Sequence, residues 1–254
     1  MKITMFNILF EVATLGSATE QIVSVAYEKK KGLVVTPNVD HVVMLQRDDD
    51  MLRIYRDALF RYADGMPLVW LSRILSAQHL PERVTGADLL PSICRSVAGT
   101  VLNLYFLGGN PGVAESAAVK LREQFPGVTI VGSYCPPLGF EYDQDETDRI
   151  IRDINALNVH ILFIGVGAPK QEKWADANLG RLDVGPIMCV GAAFDFAAGI
   201  QMRAPITIQK CGLEWLWRFL NDPLRLWRRY LLRDSFFIFL AAKEIYTTYK
   251  LRKI

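Results

Sequence analysis

The sequence lacks the residues from which most cross-links and metal sites are built. Its 254 residues include four cysteines and three histidines. The cysteines form no CxxC pair, which argues against a zinc ribbon and is typical of small core side chains in a reducing compartment. The histidines, His41, His79 and His160, share no ligand spacing. We therefore expect no structural metal site.

Long hydrophobic runs are also missing. The longest run near the C-terminus, residues 236–242, is far shorter than the roughly 20 residues that a membrane-spanning helix needs. The first ten residues hold one lysine and a broken apolar run without a small-residue cleavage site, so no signal peptide is expected. These absences predict a protein that is made and kept in the cytoplasm.

Charge is nearly balanced over the whole chain but is unevenly distributed. The formal net charge is +2, yet residues 203–254 carry 11 Lys and Arg against 4 Asp and Glu, and residues 1–202 carry 18 against 23. Three of the five tryptophans also lie in the basic segment. A basic, aromatic tail on a mildly acidic body indicates a partner that is anionic, apolar or both.

Short apolar runs alternate with amphipathic stretches between residues 32 and 198. The alternation predicts strands at 33–36, 59–63, 102–107, 128–132, 160–165 and 186–191. It predicts helices at 18–29, 38–46, 67–75, 87–97, 112–124, 146–157 and 169–178. The strands are apolar on both faces, which is typical of a buried parallel sheet. We therefore expect a Rossmann-like α/β domain with a mostly parallel sheet and helices on both faces, over residues 1–202.

Ligands of such a sheet bind at the carboxyl ends of the strands, where the loops here are small, polar or glycine-rich. The loops at 108–112 and 165–172 resemble anion cradles, in which backbone N–H groups and a helix N-terminus face a phosphate. Neither contains GxGxxG or a Walker motif, and ordinary strand–helix turns explain them about equally well. The acidic run Asp48–Asp50 follows a predicted helix, so we interpret it as a solvated helix end rather than a metal–nucleotide site.

The segment 203–254 shows no strand–helix alternation and is predicted to form a helical appendage. Leu224, Trp227 and Leu231 share one face of a helix after Pro223, and arginines occupy another face. This basic amphipathic pattern suits a membrane interface, although a helix packed on the domain with its arginines in water would show it too.

Six of the loops, taken in order, resemble one family. The segments are 35–38 (VTPN), 63–67 (ADGMP), 83–86 (RVTG), 106–109 (FLGG), 165–172 (GVGAPKQE) and 190–195 (VGAAFD). They are similar to the signature blocks of the WecG/TagA/CpsF glycosyltransferases, family 26, and the resemblance extends from about residue 33 to residue 231.

The resemblance implies an inverting, metal-independent transfer of a sugar from a UDP-sugar. It implies as acceptor a saccharide on a polyprenyl diphosphate, in the synthesis of exopolysaccharide, capsule or teichoic acid. The implied partners are the UDP-sugar, this acceptor and an anionic membrane surface at the inner face of the cell membrane, bound peripherally through the appendage. No cofactor, metal or nucleic acid is implied, and a homo-oligomer remains open.

The resemblance also assigns roles to residues. Those implied to act in catalysis are Asp64, Thr36, Asn38, Arg218, Arg225 and Arg228. Those implied to bind the UDP-sugar are Asn38, Arg83, Gly108, Gly109, Gly139, Phe140, Gly167, Gln171 and Asp195. The loop 136–141 (PPLGFE) departs from the His-rich loop of the teichoic-acid members and looks more like the exopolysaccharide branch. The donor sugar stays open among glucose, N-acetylmannosamine and its uronic acid.

The sequence allows two interpretations of Asp64, and the motif context favours the first, a catalytic base. Inverting transfer needs a base that takes the proton of the attacking hydroxyl, and a carboxylate after a strand is placed for that. Alternatively, Asp64 caps the following helix and Gly65 serves the turn. Two other classes of protein also remain, a nicotinamide-dependent oxidoreductase and a non-catalytic membrane-docking scaffold. The first would share the fold but lacks GxGxxG, and the second leaves the polar loops unexplained.

Overall fold

In the computed structural model, the described residues are 1–210, 212–221, 227 and 235–251. The chain opens with an antiparallel hairpin of β1 (Lys2–Met5) and β2 (Ile8–Glu11). The strand pattern did not predict this hairpin. Its turn places Phe6 and Asn7 at positive φ, 54° and 63°. The hairpin packs against the edge of the main sheet through β2.

The centre of the protein is a six-stranded, all-parallel sheet. Its strands are β3 (Gly32–Val35), β4 (Phe60–Arg61), β5 (Asn103–Gly108), β6 (Thr129–Tyr134), β7 (Ile161–Gly165) and β8 (Pro186–Cys189). Their order across the sheet is β4-β3-β8-β7-β5-β6. All six predicted strands and the Rossmann-like class are confirmed.

Helices cover both faces of this sheet. Before β6 they are α1 (Leu15–Tyr27), α2 (Val39–Leu45), α3 (Asp49–Asp57), α4 (Met66–Leu75), α5 (Gly86–Val97) and α6 (Val113–Gln124). After β6 come a 3₁₀ turn (Phe140–Tyr142), α7 (Gln144–Asn155), α8 (Lys170–Asn178) and α9 (Ala193–Ala197). The seven predicted helices are present, with ends that differ by a few residues.

Side chains of each strand alternate between two hydrophobic cores, one on each face of the sheet. In β5, Tyr105 and Leu107 join the core beneath α2, α7 and α8, whereas Leu104 and Phe106 join the core beneath α1, α5 and α6. Because both faces are covered, a strand has no polar side, which explains its uninterrupted apolar run.

The acidic run at residues 48–50 begins a helix instead of ending one. The Asp48 carboxylate accepts a hydrogen bond from the N–H of Met51 (3.0 Å) and caps α3. It also pairs with Lys173 at 2.7 Å, and this pairing lowers its pKa. Asp50 pairs with Arg53 (2.9 Å). The run follows α2 and lies at a helix end, as expected, but that end is the start of α3, which was not predicted.

The appendage is helical where it is described, in α10 (Ile206–Lys210), α11 (Glu214–Asn221) and α12 (Phe236–Leu251). Helix α12 packs on α2 and α4, and its Phe237 and Leu240 are buried in the core. The N–H of Phe6 donates to the Glu244 carboxylate on this helix (3.0 Å). The predicted basic amphipathic helix lies outside the described residues except for Trp227, which is exposed. The boundary at residue 202 stays a prediction.

Candidate active site

The sheet has a topological switch point between β5 and β7. The chain leaves β5 toward β6 on one side and leaves β7 toward β8 on the other, so the loops after these neighbouring strands diverge. In open α/β sheets a crevice at this position is the usual ligand site. The structure has a cavity of about 270 Å³ there.

Loops after four adjacent strands line the cavity. Gly109 and Asn110 follow β5, and the segment from Pro136 to Phe140 follows β6. The lining also includes Gly165, which ends β7, and Val166, Gly167 and Lys170, which follow it. Gly191, Ala192 and Asp195 follow β8. The site residues Gly109, Gly139, Phe140, Gly167 and Asp195, assigned from sequence to several separate loops, therefore lie at or directly beside one cavity.

Glycine is required where the ends of β5 and β7 meet. Gly108 has φ of +115°, and a Cβ there would lie 2.7 Å from the carbonyl of Gly165. A Cβ on Gly165 would in turn lie 2.7 Å from the carbonyl oxygen of Gly191. Three strand ends thus approach more closely than side chains would allow.

One wall of the cavity, formed by residues 136–140, is apolar. Phe140 is buried, and its ring packs at 5.7 Å from that of Trp174 on α8. Gly139 starts the 3₁₀ turn with φ of +85°. Lys170 also lines the cavity, and its ammonium pairs with Glu141 at 3.2 Å. The cavity therefore combines an apolar wall with a cation at the start of a helix.

Asp64 lies on the neighbouring part of the same rim. Its N–H donates to the carbonyl of Pro37 (2.9 Å), which joins the loop after β4 to the loop that holds Thr36 and Asn38. Thr36 is buried. The side chain of Asn38 caps α2 by accepting from the N–H of His41 (3.1 Å). These three catalytic candidates are thus brought together at the carboxyl ends of β3 and β4, and β3 is the neighbour of β8 in the sheet.

The structure assigns the cap of α4 to Gly65, with no side-chain hydrogen bond. The interpretation of Asp64 as a helix cap is therefore not supported. Its charge contributes instead to the raised pKa of Arg203. Burial opposes the charge of Arg203, but a bidentate pair with Asp88 outweighs burial.

Arg83 is held by the appendage. Its guanidinium donates to Glu214 on α11 (2.9 Å) and to Gln209 on α10 (2.6 Å). It also lies 3.9 Å from Asp88 in the first turn of α5. That turn packs on the residue that follows β8, since a Cβ on Gly86 would lie 3.0 Å from the Cα of Val190. Arg83 therefore lies between the rim and the appendage, outside the lining of the cavity.

Residues 3–251 match the model of the Glycosyl transferase WecG/TagA/CpsF family. The chain belongs to this family. Membership supports a glycosyltransferase role in cell-surface polysaccharide synthesis, with a sugar-nucleotide donor and a lipid-linked acceptor in general terms. It favours this class over the oxidoreductase and the scaffold that the sequence left open.

Within this WecG/TagA/CpsF fold, Gln171 lies under the cavity and not in it. Its side chain is 2% exposed and accepts from the N–H groups of Gly167 and Gly191, both at 3.2 Å. The sequence suggested that Gln171 binds the donor directly. In the structure it ties two cavity loops together.

Three residues near the site carry no prediction from sequence. Lys170 could have been suggested, because it directly follows a glycine-rich loop at the start of α8. Asp88 and Arg203 pair across 115 positions of sequence, so no local signal indicates them.

Arg218 lies on α11, although its side chain is outside the described part, and Arg225 and Arg228 fall outside the described residues. Within the described ranges, no three His, Cys, Asp or Glu side chains come close enough to hold a metal ion. No helix among those residues is long and apolar enough to cross a membrane.

Proposed function

We propose that this protein is an inverting, metal-independent glycosyltransferase. It would move a sugar from a UDP-sugar to a saccharide on a polyprenyl diphosphate, in the synthesis of exopolysaccharide, capsule or teichoic acid. The observation that carries the proposal is the cavity at the switch point, with Asp64 on the same rim.

The cavity suits the nucleotide part of the donor. The apolar segment 136–138 offers packing for the uracil, and the Asp195 carboxylate can accept hydrogen bonds from ribose hydroxyls or a base N–H. Backbone N–H groups of the glycine loops and the Lys170 ammonium can compensate the charge of the diphosphate. Its volume, about 270 Å³, fits a part of the donor and leaves the sugar outside.

The sugar would then extend along the rim toward Asp64. Strand β4 is two positions from β8, roughly 10 Å at the usual strand spacing. With its uridine in the cavity, the donor would direct its anomeric carbon toward the Asp64 loop. Asp64 would accept the proton of the acceptor hydroxyl as that hydroxyl attacks, and inversion would follow from this single displacement.

The departing UDP carries charge that needs stabilising. Without a metal, guanidinium groups and helix N-termini would do this, because both donate hydrogen bonds to phosphate oxygens. Arg83 is one source at the rim, and Arg218, Arg225 and Arg228 are the candidates in the appendage. The appendage would also dock on the inner face of the cell membrane, where the lipid-linked acceptor is located.

UDP affinity tests the cavity directly. We expect Asp195→Ala to weaken UDP binding at least tenfold in calorimetry, since it removes the carboxylate of the cavity. Asp183→Ala is the matched control, because Asp183 precedes β8, the strand that Asp195 follows. The side chain of Asp183 is 67% exposed. It should bind UDP as the wild type does. Equal affinity of all three proteins would place the nucleotide elsewhere.

A further inference from the structure

The amide of Gln171 bridges two walls of the cavity. Its Oε1 atom accepts from the N–H of Gly167, after β7, and from the N–H of Gly191, after β8. Both glycines line the cavity. The separation of the two loops therefore depends on which way this one amide faces, because its NH₂ group cannot accept from either N–H.

Glu172 selects that orientation. The Gln171 Nε2 atom donates to Glu172 Oε1 at 2.9 Å. A carboxylate or carboxyl oxygen there accepts the bond, so the amide keeps its NH₂ group toward Glu172 and its oxygen toward the two glycines. The Tyr55 hydroxyl lies 3.4 Å from the same Oε1 atom, and it lies 3.0 Å from His41 Nδ1. Tyr55 of α3 therefore contacts Glu172, and His41 of α2 contacts Tyr55.

The position of Glu172 is energetically unfavourable for a carboxyl group. Glu172 is 1% exposed, and its Oε2 atom has no hydrogen-bond partner among the described residues. Burial raises the pKa of this carboxyl, with the bond from Gln171 acting in the opposite direction. A buried polar atom without a partner destabilises a fold. A role in shaping the cavity gives a reason for a carboxyl group at this site.

We propose that Glu172 is a positioning residue for the nucleotide. Through the amide of Gln171 it holds the loops of Gly167 and Gly191 at the spacing that a uridine diphosphate needs. The inference rests on the proposed function, since it takes UDP as the ligand of this cavity. Glu172 itself does not touch the ligand.

A reciprocal exchange tests the proposal. Gln171→Glu should weaken UDP binding at least tenfold at a pH where both groups are ionised, because two carboxylates then repel each other and no N–H donor lies between them. Adding Glu172→Gln should restore most of the affinity, because the new amide at position 172 can donate to the new carboxylate at position 171 while that carboxylate still accepts from both glycines. Glu172→Met, whose sulfur is only a weak acceptor, should raise the KM for the UDP-sugar at least tenfold and change kcat little.

The outcomes separate this inference from the proposed function. If wild-type protein does not bind UDP, the proposed function fails. If it binds UDP and folded Glu172→Met binds equally well, Glu172 does not position the nucleotide. The exchange decides the question even if Glu172→Met fails to fold: a double variant no better than Gln171→Glu alone would overturn the proposal.

Discussion

Asp64→Asn is expected to bind UDP with wild-type affinity and to lose sugar transfer by about 10² to 10⁴-fold, the usual contribution of a general base. The substitution keeps the shape of the side chain and the backbone bond to Pro37. It removes the group that takes the proton of the acceptor. The measurement is the initial rate of transfer to a lipid-linked acceptor, with UDP affinity determined on the same preparation.

Asp57→Asn is the control for this variant. Asp57 ends α3, just before the strand that leads to Asp64, and its side chain is 67% exposed. The control should retain full activity. Near wild-type turnover in Asp64→Asn would mean that the base is another group, and the role of the rim would have to be reassigned.

Arg218→Ala, Arg225→Ala and Arg228→Ala are each expected to lower transfer at least a hundredfold on a detergent-solubilised acceptor. The reason is that a guanidinium on the leaving diphosphate acts directly at the reacting atoms. Membrane docking has a different dependence on charge. Each arginine near an anionic surface contributes about 1 kcal/mol, so one loss should weaken liposome binding only about fivefold.

Arg229→Ala is the matched control in the appendage. It removes the same charge next to Arg228, so it should weaken liposome binding equally and leave transfer to the solubilised acceptor unchanged. If all four variants keep full activity on that acceptor, the appendage serves only as an anchor. Point variants are preferable to truncation, because Phe237 and Leu240 of α12 belong to the hydrophobic core.

The sheet could be predicted from sequence because its physics is local. Each strand is apolar on both faces, as Leu104 to Leu107 illustrate, and each is followed by a turn and a helix. The N-terminal hairpin escaped prediction because its strands have four residues each and its turn uses Phe6–Asn7 rather than an Asn–Gly or Asp–Gly pair. Helix α3 escaped because its capping aspartate also suits a solvated helix end.

The rim of the site was predictable for a related reason. Loops after parallel strands meet at one edge of the sheet, so the glycine loops and Asp195 could be assigned to one place from their order alone. The contacts of individual side chains could not be predicted from the sequence. Arg83 is held by residues 126 and 131 positions away, and the partners of Gln171 are backbone groups of two loops. Such pairings depend on tertiary structure, and the sequence carries no local trace of them.

The central claim is tested most directly by following the acceptor itself. A polyprenyl-diphosphate-linked saccharide is incubated with a set of UDP-sugars in EDTA, and the product is examined by mass spectrometry and by NMR of its new anomeric centre. The account predicts that one donor adds a single sugar with inverted configuration, that EDTA does not reduce the rate, and that Asp64→Asn forms almost no product. Retained configuration, or activity that EDTA abolishes and magnesium or manganese restores, would contradict it.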